Sequence, residues 1–357
     1  MIPVVDIFAG PSGLGEGFSS VVDDKNRPVF DIALSIEMDA DAFETLKLRT
    51  FFRQFPAGAP SEYYKYLRGG ITREAMYEAH QPEAKRAEDV CWHARLGPEG
   101  ETPDAIRSKI NKAIGKHDPW VLIGGPPCQA YSLAGRSRNL GNPKYSPKTD
   151  EKQRLYVEYL QILADHRPAV FIMENVKGLL SATLANERMF HRIVEDLRLP
   201  AKALSREGRK SRSGLTKGYR IYSLVEPLMF ENGDLRGSVI RSEKYGVPQS
   251  RHRVILLGIR DDLSHAVPEL LAERPEVCAS AVLDDLPKLR SGLSRQVDSA
   301  AAWTACLRST MPYTRMAIPL RSIATGKGNV MVFIVRKRKI ICLMKQKLKI
   351  DLVWTAD

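Results

Sequence analysis

The sequence predicts an α/β protein built on a doubly wound sheet, and three observations predict it. Short apolar, β-branched runs alternate with stretches of helical spacing. The first run passes directly into a glycine-rich segment that opens a helix. Glycines, carboxylates and a thiol then recur where these runs stop, which is where open sheets of this kind receive their ligands.

Taken in order, "IPVVDIF" (2–8) is the first strand, and "AGPSGLGEGF" supplies four glycines before a helix. "FDIALSIEMD" is the second strand, ending at Glu37, and "ADAFETLKLRTFF" after it is helical. Residues 54–103 are polar and irregular, broken by Gly69-Gly70 and several prolines, and read as an insertion with short helices. "PWVLIGG", "DEKQRLYVEYLQILADH" and "PAVFIMENV" then give strand, amphipathic helix and strand. A second insertion, 200–222, contains "REGRKSRSGLTKGYR", a basic stretch that fits a solvated loop or hairpin and also a phosphate contact. "YGVPQSRHRVILLGIR" is a turn feeding another apolar strand. Beyond it the pattern weakens into pieces such as "ASAVLDDLPKL", and 326–357 mixes short apolar runs with lysine and arginine. That end fits a nucleic-acid-binding tail, a surface-seeking helix or a non-native end of the kind a frameshift leaves. Three divisions result: an α/β domain at 1–262, a weakly patterned region at 263–325 and an atypical basic tail at 326–357.

The 357 residues are 43% hydrophobic and 27% charged and carry a formal charge of +12, which describes a globular chain suited to a polyanionic partner. Its five cysteines are scattered, odd in number and form no C-x-x-C pair. Neither a disulfide framework nor a zinc site is expected, and a reducing cytoplasm fits best. No secretory leader or bilayer-length apolar run is read, so membrane insertion is not expected.

The glycine loop does not follow G-x-G-x-x-G, and alone it leaves dinucleotides, adenosyl groups and plain turns open. Glu37 suits ribose hydroxyls and Met38 an adenine face, although a surface glutamate and a core methionine read equally well. A lone cysteine is usually a small buried hydrophobe. Cys128, however, follows a strand stopped by Gly124-Gly125 and stiffened by Pro126-Pro127, and polar Gln129 and Ser132 and basic Arg136 come next. Glu174 ends a buried run, where a carboxyl in a dry pocket can hold a proton near neutrality; pairing with Lys177 is the plainer alternative. Gln249, Arg251 and Arg253 alternate, so on an extended chain they share one face.

Together, "DIFAGPSGLGEGF", "GGPPCQAYSLAGR", "FIMENVKGLL" and "YGVPQSRHRVILLG" resemble the ordered signature blocks of the DNA (cytosine-5)-methyltransferases. The resemblance spans roughly Ile2 to Arg260 and implies a Rossmann-like sheet, S-adenosylmethionine as methyl donor, a catalytic and cofactor-binding role for 1–262 and a partial target-recognition region at 263–325. By that resemblance Phe8, Ala9, Gly10, Gly13, Glu37, Met38 and Pro127 surround the cofactor. Cys128 would attack carbon 6 of a cytosine flipped out of double-stranded DNA, Glu174 would meet N3, and Arg253 and Arg251 would serve O2, thiol and phosphate. Gln129, Ser132, Arg136 and Gln249 would face the DNA. No metal is implied; a monomer and a companion restriction endonuclease are. A C-terminal G-N-x-V-P-P block is missing, with only "GKGNV" echoing it, so the chain reads as truncated and impaired after Q-x-R-x-R. A tRNA cytosine-5 methyltransferase predicts Cys-Phe-Thr, which does not occur; a non-catalytic nucleic-acid-binding remnant is the other alternative.

Overall fold

The computed structural model describes residues 1–97, 99–127, 151–181, 183–184, 187–213, 218–231, 236–263, 265–286, 292–293 and 297–315, and strands within 323–356; among 151–154, 181–189 and beyond 308 it describes backbone alone. Two compact units divide at Val277 and Cys278.

The first unit is built on one sheet. Strands β1 (Ile2–Ile7), β2 (Phe30–Glu37), β3 (Cys91–His93), β4 (Val121–Gly124) and β5 (Val170–Val176) are parallel in the order β3-β2-β1-β4-β5. After these come β8 (Tyr219–Tyr222), β9 (Val239–Arg241) and β10 (His252–Arg260), with β10 antiparallel to β5, β8 and β9. The two-residue strands β6 (Thr183–Leu184) and β7 (Glu187–Arg188) pair separately. Strand order reverses at β1, between β2 and β4, which opens a crevice at their carboxyl ends.

Period-two alternation sends side chains to both faces. Val5, Ile7, Leu34, Ile36, Leu122, Phe171 and Met173 join one core, and Val4, Ile32, Val121 and Ile123 join the other. Helices α6 (Pro103–Ile114), α7 (Glu151–His166), α8 (Met189–Arg198) and α9 (Pro200–Arg206) cover the first face. The second face is met by α1 (Gly13–Ser19), α2 (Ala40–Phe52) and α5 (Gln81–Val90). The signals are local. Thr102 caps α6 by accepting the Ala105 N–H at 3.2 Å, Pro103 follows, and Ile106, Ile110 and Ile114 repeat every four residues on the buried side. On α8, Phe190, Ile193, Val194 and Leu197 make the same kind of stripe.

Residues 54–103 hold α3 (Ser61–Leu67) and α4 (Arg73–Ala79) besides α5, and β3 enters the main sheet. Residues 200–222 supply α9 and β8, so this stretch also belongs to the main body. β5 and β10 approach closely: a Cβ on Gly258 would run into the Phe171 ring opposite it.

The second unit contains α10 (Ser280–Leu283), α11 (Ala300–Arg315) and an antiparallel sheet of β11 (Ile323–Thr325), β12 (Asn329–Arg336), β13 (Lys339–Gln346) and β14 (Lys349–Ala356) in sequential order. The tail is therefore extended, which corrects the reading of it as a surface-seeking helix; its alternating β-branched residues suit strands. Among the described residues no helix is long and apolar enough to cross a membrane.

Candidate active site

At the carboxyl end of β1 the backbone takes left-handed conformations at every second residue, with φ of 56° at Phe8, 53° at Gly10 and 70° at Ser12. Two of these are not glycine, each costing on the order of 1 kcal/mol that the surroundings must offset. They do so with hydrogen bonds. Ala9 N–H donates to Ile36 O at 3.1 Å and Ser12 N–H to Ala9 O at 2.9 Å. Two arginines of α2 clamp the loop: Arg49 donates to Pro11 O and to Glu16, each at 3.0 Å, and Arg53 donates to Glu16 at 3.0 Å and to Ser12 Oγ at 3.3 Å.

Glu37, ending β2, faces this loop. Its Oε2 accepts the Gly10 N–H at 2.7 Å, and its Oε1 accepts Met38 N–H at 2.9 Å and Asp39 N–H at 2.7 Å. A carboxylate offers about four acceptor positions, so roughly one remains, on Oε2. Met38 is half exposed beside it, and its carbonyl lies 3.0 Å from His93 Nε2. A Cβ at Gly10 or Gly13 would meet open space. Free acceptor, exposed thioether and unfilled loop fit the ribose, adenine and methionine parts of an adenosyl cofactor.

Across the switch point, β4 ends against β5. A Cβ on Gly125 would lie 2.9 Å from Glu174 Oε2 and 3.2 Å from Glu174 O, so the glycine lets this turn sit close against the end of β5. Asn175, buried, donates to Pro126 O at 3.3 Å and so holds the proline turn. Glu174 pairs with Arg253, Nε to Oε1 at 2.6 Å, in place of the Lys177 alternative. Arg253 also donates to His252 O at 2.9 Å.

Arg253 lies in β10, but Gln249 and Arg251 precede it in a turned segment, which replaces the extended alternation the sequence suggested. Arg251 N–H donates to Gln249 O at 2.8 Å, and Ser242 Oγ lies 2.8 Å from Gln249 O and 2.7 Å from Arg251 O. Arg251 and Gln249 are exposed. Cys128, Gln129, Ser132 and Arg136 lie outside the described residues.

The basic stretch after α9 is largely engaged internally. Arg209 pairs with the buried Glu158 at 2.7 Å, Arg206 pairs with Asp196, and Arg212 pairs with Asp104. That is the solvated-loop reading, with the guanidinium groups turned onto the chain's own carboxylates. An open cavity of about 750 Å³ lies elsewhere, at the amino end of β1, lined by Ile2, Arg27, His117 and Pro119, and none of the predicted site residues among those described lines it.

Residues that the sequence reading missed are Asp6, Ser12, Arg49, Arg53 and Ser242. Only Asp6 carried a signal, a charge inside an apolar strand. Asp6 is buried, its Oδ2 makes no well-formed hydrogen bond, and burial pushes its carboxyl up to about 7.

The model of the C-5 cytosine-specific DNA methylase family matches residues 96–199 and 225–339, more than half of the chain. A type II methyltransferase of Bacillus paralicheniformis is 28% identical over 307 residues, covering 80% of this chain and 61% of its own. Another, from Lysinibacillus sphaericus, is 30% identical over 271 residues, covering 75% and 47%. A crystal structure described as a DNA modification methyltransferase encoded within a prophage (E. coli) aligns with a TM-score of 0.47 at 18% identity, covering 84% of this chain and 59% of that one. The chain thus spans about half to three fifths of the length of these relatives.

Proposed function

Because the chain belongs to the C-5 cytosine-specific DNA methylase family, we propose that it transfers a methyl group from S-adenosylmethionine to carbon 5 of cytosine in double-stranded DNA, as the modification half of a restriction-modification system. The observation that carries this reading is the Glu174–Arg253 pair at 2.6 Å beside the Gly125-Pro126-Pro127 turn, one strand away from a loop and carboxylate that fit an adenosyl cofactor.

Carbon 5 of cytosine is a weak nucleophile, so a thiolate must first add at carbon 6. Cys128, the residue after Pro127, supplies it, forming the S–C6 bond as the C5–C6 π electrons move toward carbon 5 and the ring. A thiol of ordinary pKa near 8.5 is only a few per cent ionised at neutrality, and Arg251 and Arg253 provide the positive charge that favours the thiolate. Glu174 bonds the exocyclic amine and N3, where negative charge develops, and Arg253 spans the distance from Glu174 to O2. When bound, the cofactor supplies an electrophilic sulfonium methyl; Phe8, Ala9, Gly10, Gly13 and Pro127 orient it, Glu37 takes a ribose hydroxyl and Met38 lies by the adenine. A base then removes the C5 proton as the S–C6 bond breaks and its electrons return to Cys128. None of this can reach a stacked base, so the cytosine is flipped out, with Gln129, Ser132, Arg136 and Gln249 on the DNA.

The test is incubation with tritiated cofactor and duplex DNA or transfer RNA. Label in DNA, lost in Cys128→Ser, and a permanent bond from Cys128 to a 5-fluorocytosine duplex are expected. Label in RNA, or retention of DNA without label, would overturn the reading.

A further inference from the structure

Asp6 lies in β1 directly beneath the glycine loop and is 1% exposed. An ideal Cβ on Gly15 would stand 3.1 Å from Asp6 Oδ2, an oxygen that makes no well-formed hydrogen bond although the Gly15 amide pulls on the carboxyl. Buried carboxylates are ordinarily paired or hydrogen-bonded, so an incompletely satisfied one adjoining a binding crevice asks for a role. The charged and titratable groups facing it are Arg53 from α2, Glu37 from β2, Cys91 from β3 and Tyr159 from α7, with Glu16 of α1 held on Arg53. One cation is thus set against several acidic groups, and Arg53 already shares its charge with Glu16.

The cofactor reading gives this arrangement a consequence. The donor carries a sulfonium, and the product left after transfer carries a neutral thioether; they differ by one positive charge. We propose that Asp6 is a specificity-determining residue for the charge on the cofactor sulfur, favouring the sulfonium donor over its thioether product when it is ionised and ceasing to distinguish them when it is protonated. The inference rests on the proposed use of S-adenosylmethionine.

The titration falls in a useful range, because burial first, and Glu37 second, hold the carboxyl near 7 against the opposing pull of Arg53 and the Gly15 amide. A sulfonium entering the crevice lowers that value. Donor binding therefore releases a proton near neutrality, and donor affinity rises with pH until Asp6 is ionised in the free protein. For unit charges about 10 Å apart at the effective dielectric of protein interiors, the coupling amounts to roughly tenfold in affinity. The thioether product carries the same amine and carboxylate as the donor, whose amine the sulfonium makes more acidic, so the difference between wild type and Asp6→Asn in the ratio of the two affinities isolates the carboxylate.

Calorimetry on the full chain, with S-adenosylmethionine and S-adenosylhomocysteine between about pH 5.5 and 8.5, reads that ratio directly. Preference for the donor should rise about tenfold across the range in the wild type and stay flat in Asp6→Asn. Repeating the wild-type titrations in buffers of different ionisation enthalpy should show proton release with the donor and none with the product, a result that does not depend on the variant folding. Parallel pH profiles for the two ligands, equal proton release, or a rise that persists in Asp6→Asn overturn this inference alone. Failure of both ligands to bind overturns the cofactor reading and this inference with it.

Discussion

Glu174 and Arg253 show how much of the site is set by single contacts. Neither side chain is more than about a third exposed, so removing one charge leaves the other incompletely compensated in a partly dry site. Glu174→Gln keeps the shape and removes the charge that the proposed reaction uses at N3. Methyl transfer is expected to fall by roughly 10² to 10⁴, the usual range for a lost acid–base group, while calorimetric cofactor affinity stays within about twofold. Equal losses in both would move Glu174 into the cofactor site. Asp6 gives a second residue-scale prediction through stability. Its folded-state pKa is raised from 3.8 to about 7, so folding favours the protonated form. Stability from this group is fully present below about pH 4 and is lost as pH rises toward 7, a difference of a few kcal/mol. Asp6→Asn should therefore raise the melting temperature more at about pH 8 than at about pH 5; a pH-independent shift would show that the carboxyl ionises normally.

At the scale of elements, the β5–β10 contact controls whether Glu174 and Arg253 can meet, because the two strands carry them in the paired stretch. Gly258→Ala forces a methyl into the Phe171 ring, an overpacking expected to cost about 1–3 kcal/mol in urea unfolding. Combining it with Phe171→Leu should recover part of that loss, and strict additivity of the two substitutions would show that they do not touch. The longer strands were legible from the sequence as unbroken apolar runs such as "VFIM", and α7 as the helical spacing of "DEKQRLYVEYLQILADH", whereas α6 was not read although its isoleucines recur every fourth residue. β3 was not, since three residues, Cys91 to His93, are too few to show a period and owe their pairing to β2. The site divides similarly. Glu37 and Glu174 were legible because strand ends are marked in sequence, whereas the Arg49 and Arg53 clamp joins residues over thirty positions apart and leaves no local trace. The turned conformation of Gln249 to Arg251 was hidden too, because Ser242 imposes it from outside the motif.

For the whole molecule, the question is where a formal charge of +12 acts. Along 206–212 that charge is turned inward, since Arg206, Arg209 and Arg212 are each paired with a carboxylate. Arg209→Ala strands the buried Glu158 and should lower stability without changing duplex affinity. The sequence "RKRK" at Arg336–Lys339 differs: it holds four consecutive cations where β12 passes to β13, and the register sets Arg336 opposite Lys339. Four like charges adjoining in sequence repel one another, and a polyanion relieves that repulsion. Each phosphate contact contributes about 0.9 to the slope of log affinity against log salt on duplex DNA, so replacing all four with glutamine should reduce that slope by up to about 3.6. Cofactor binding should be unchanged, because the residues proposed to hold the cofactor lie in the first unit. An unchanged salt slope would place the DNA-binding charge wholly in that first unit, on residues such as Arg136 and Arg251, and leave the tail's lysines and arginines without a part in holding the duplex.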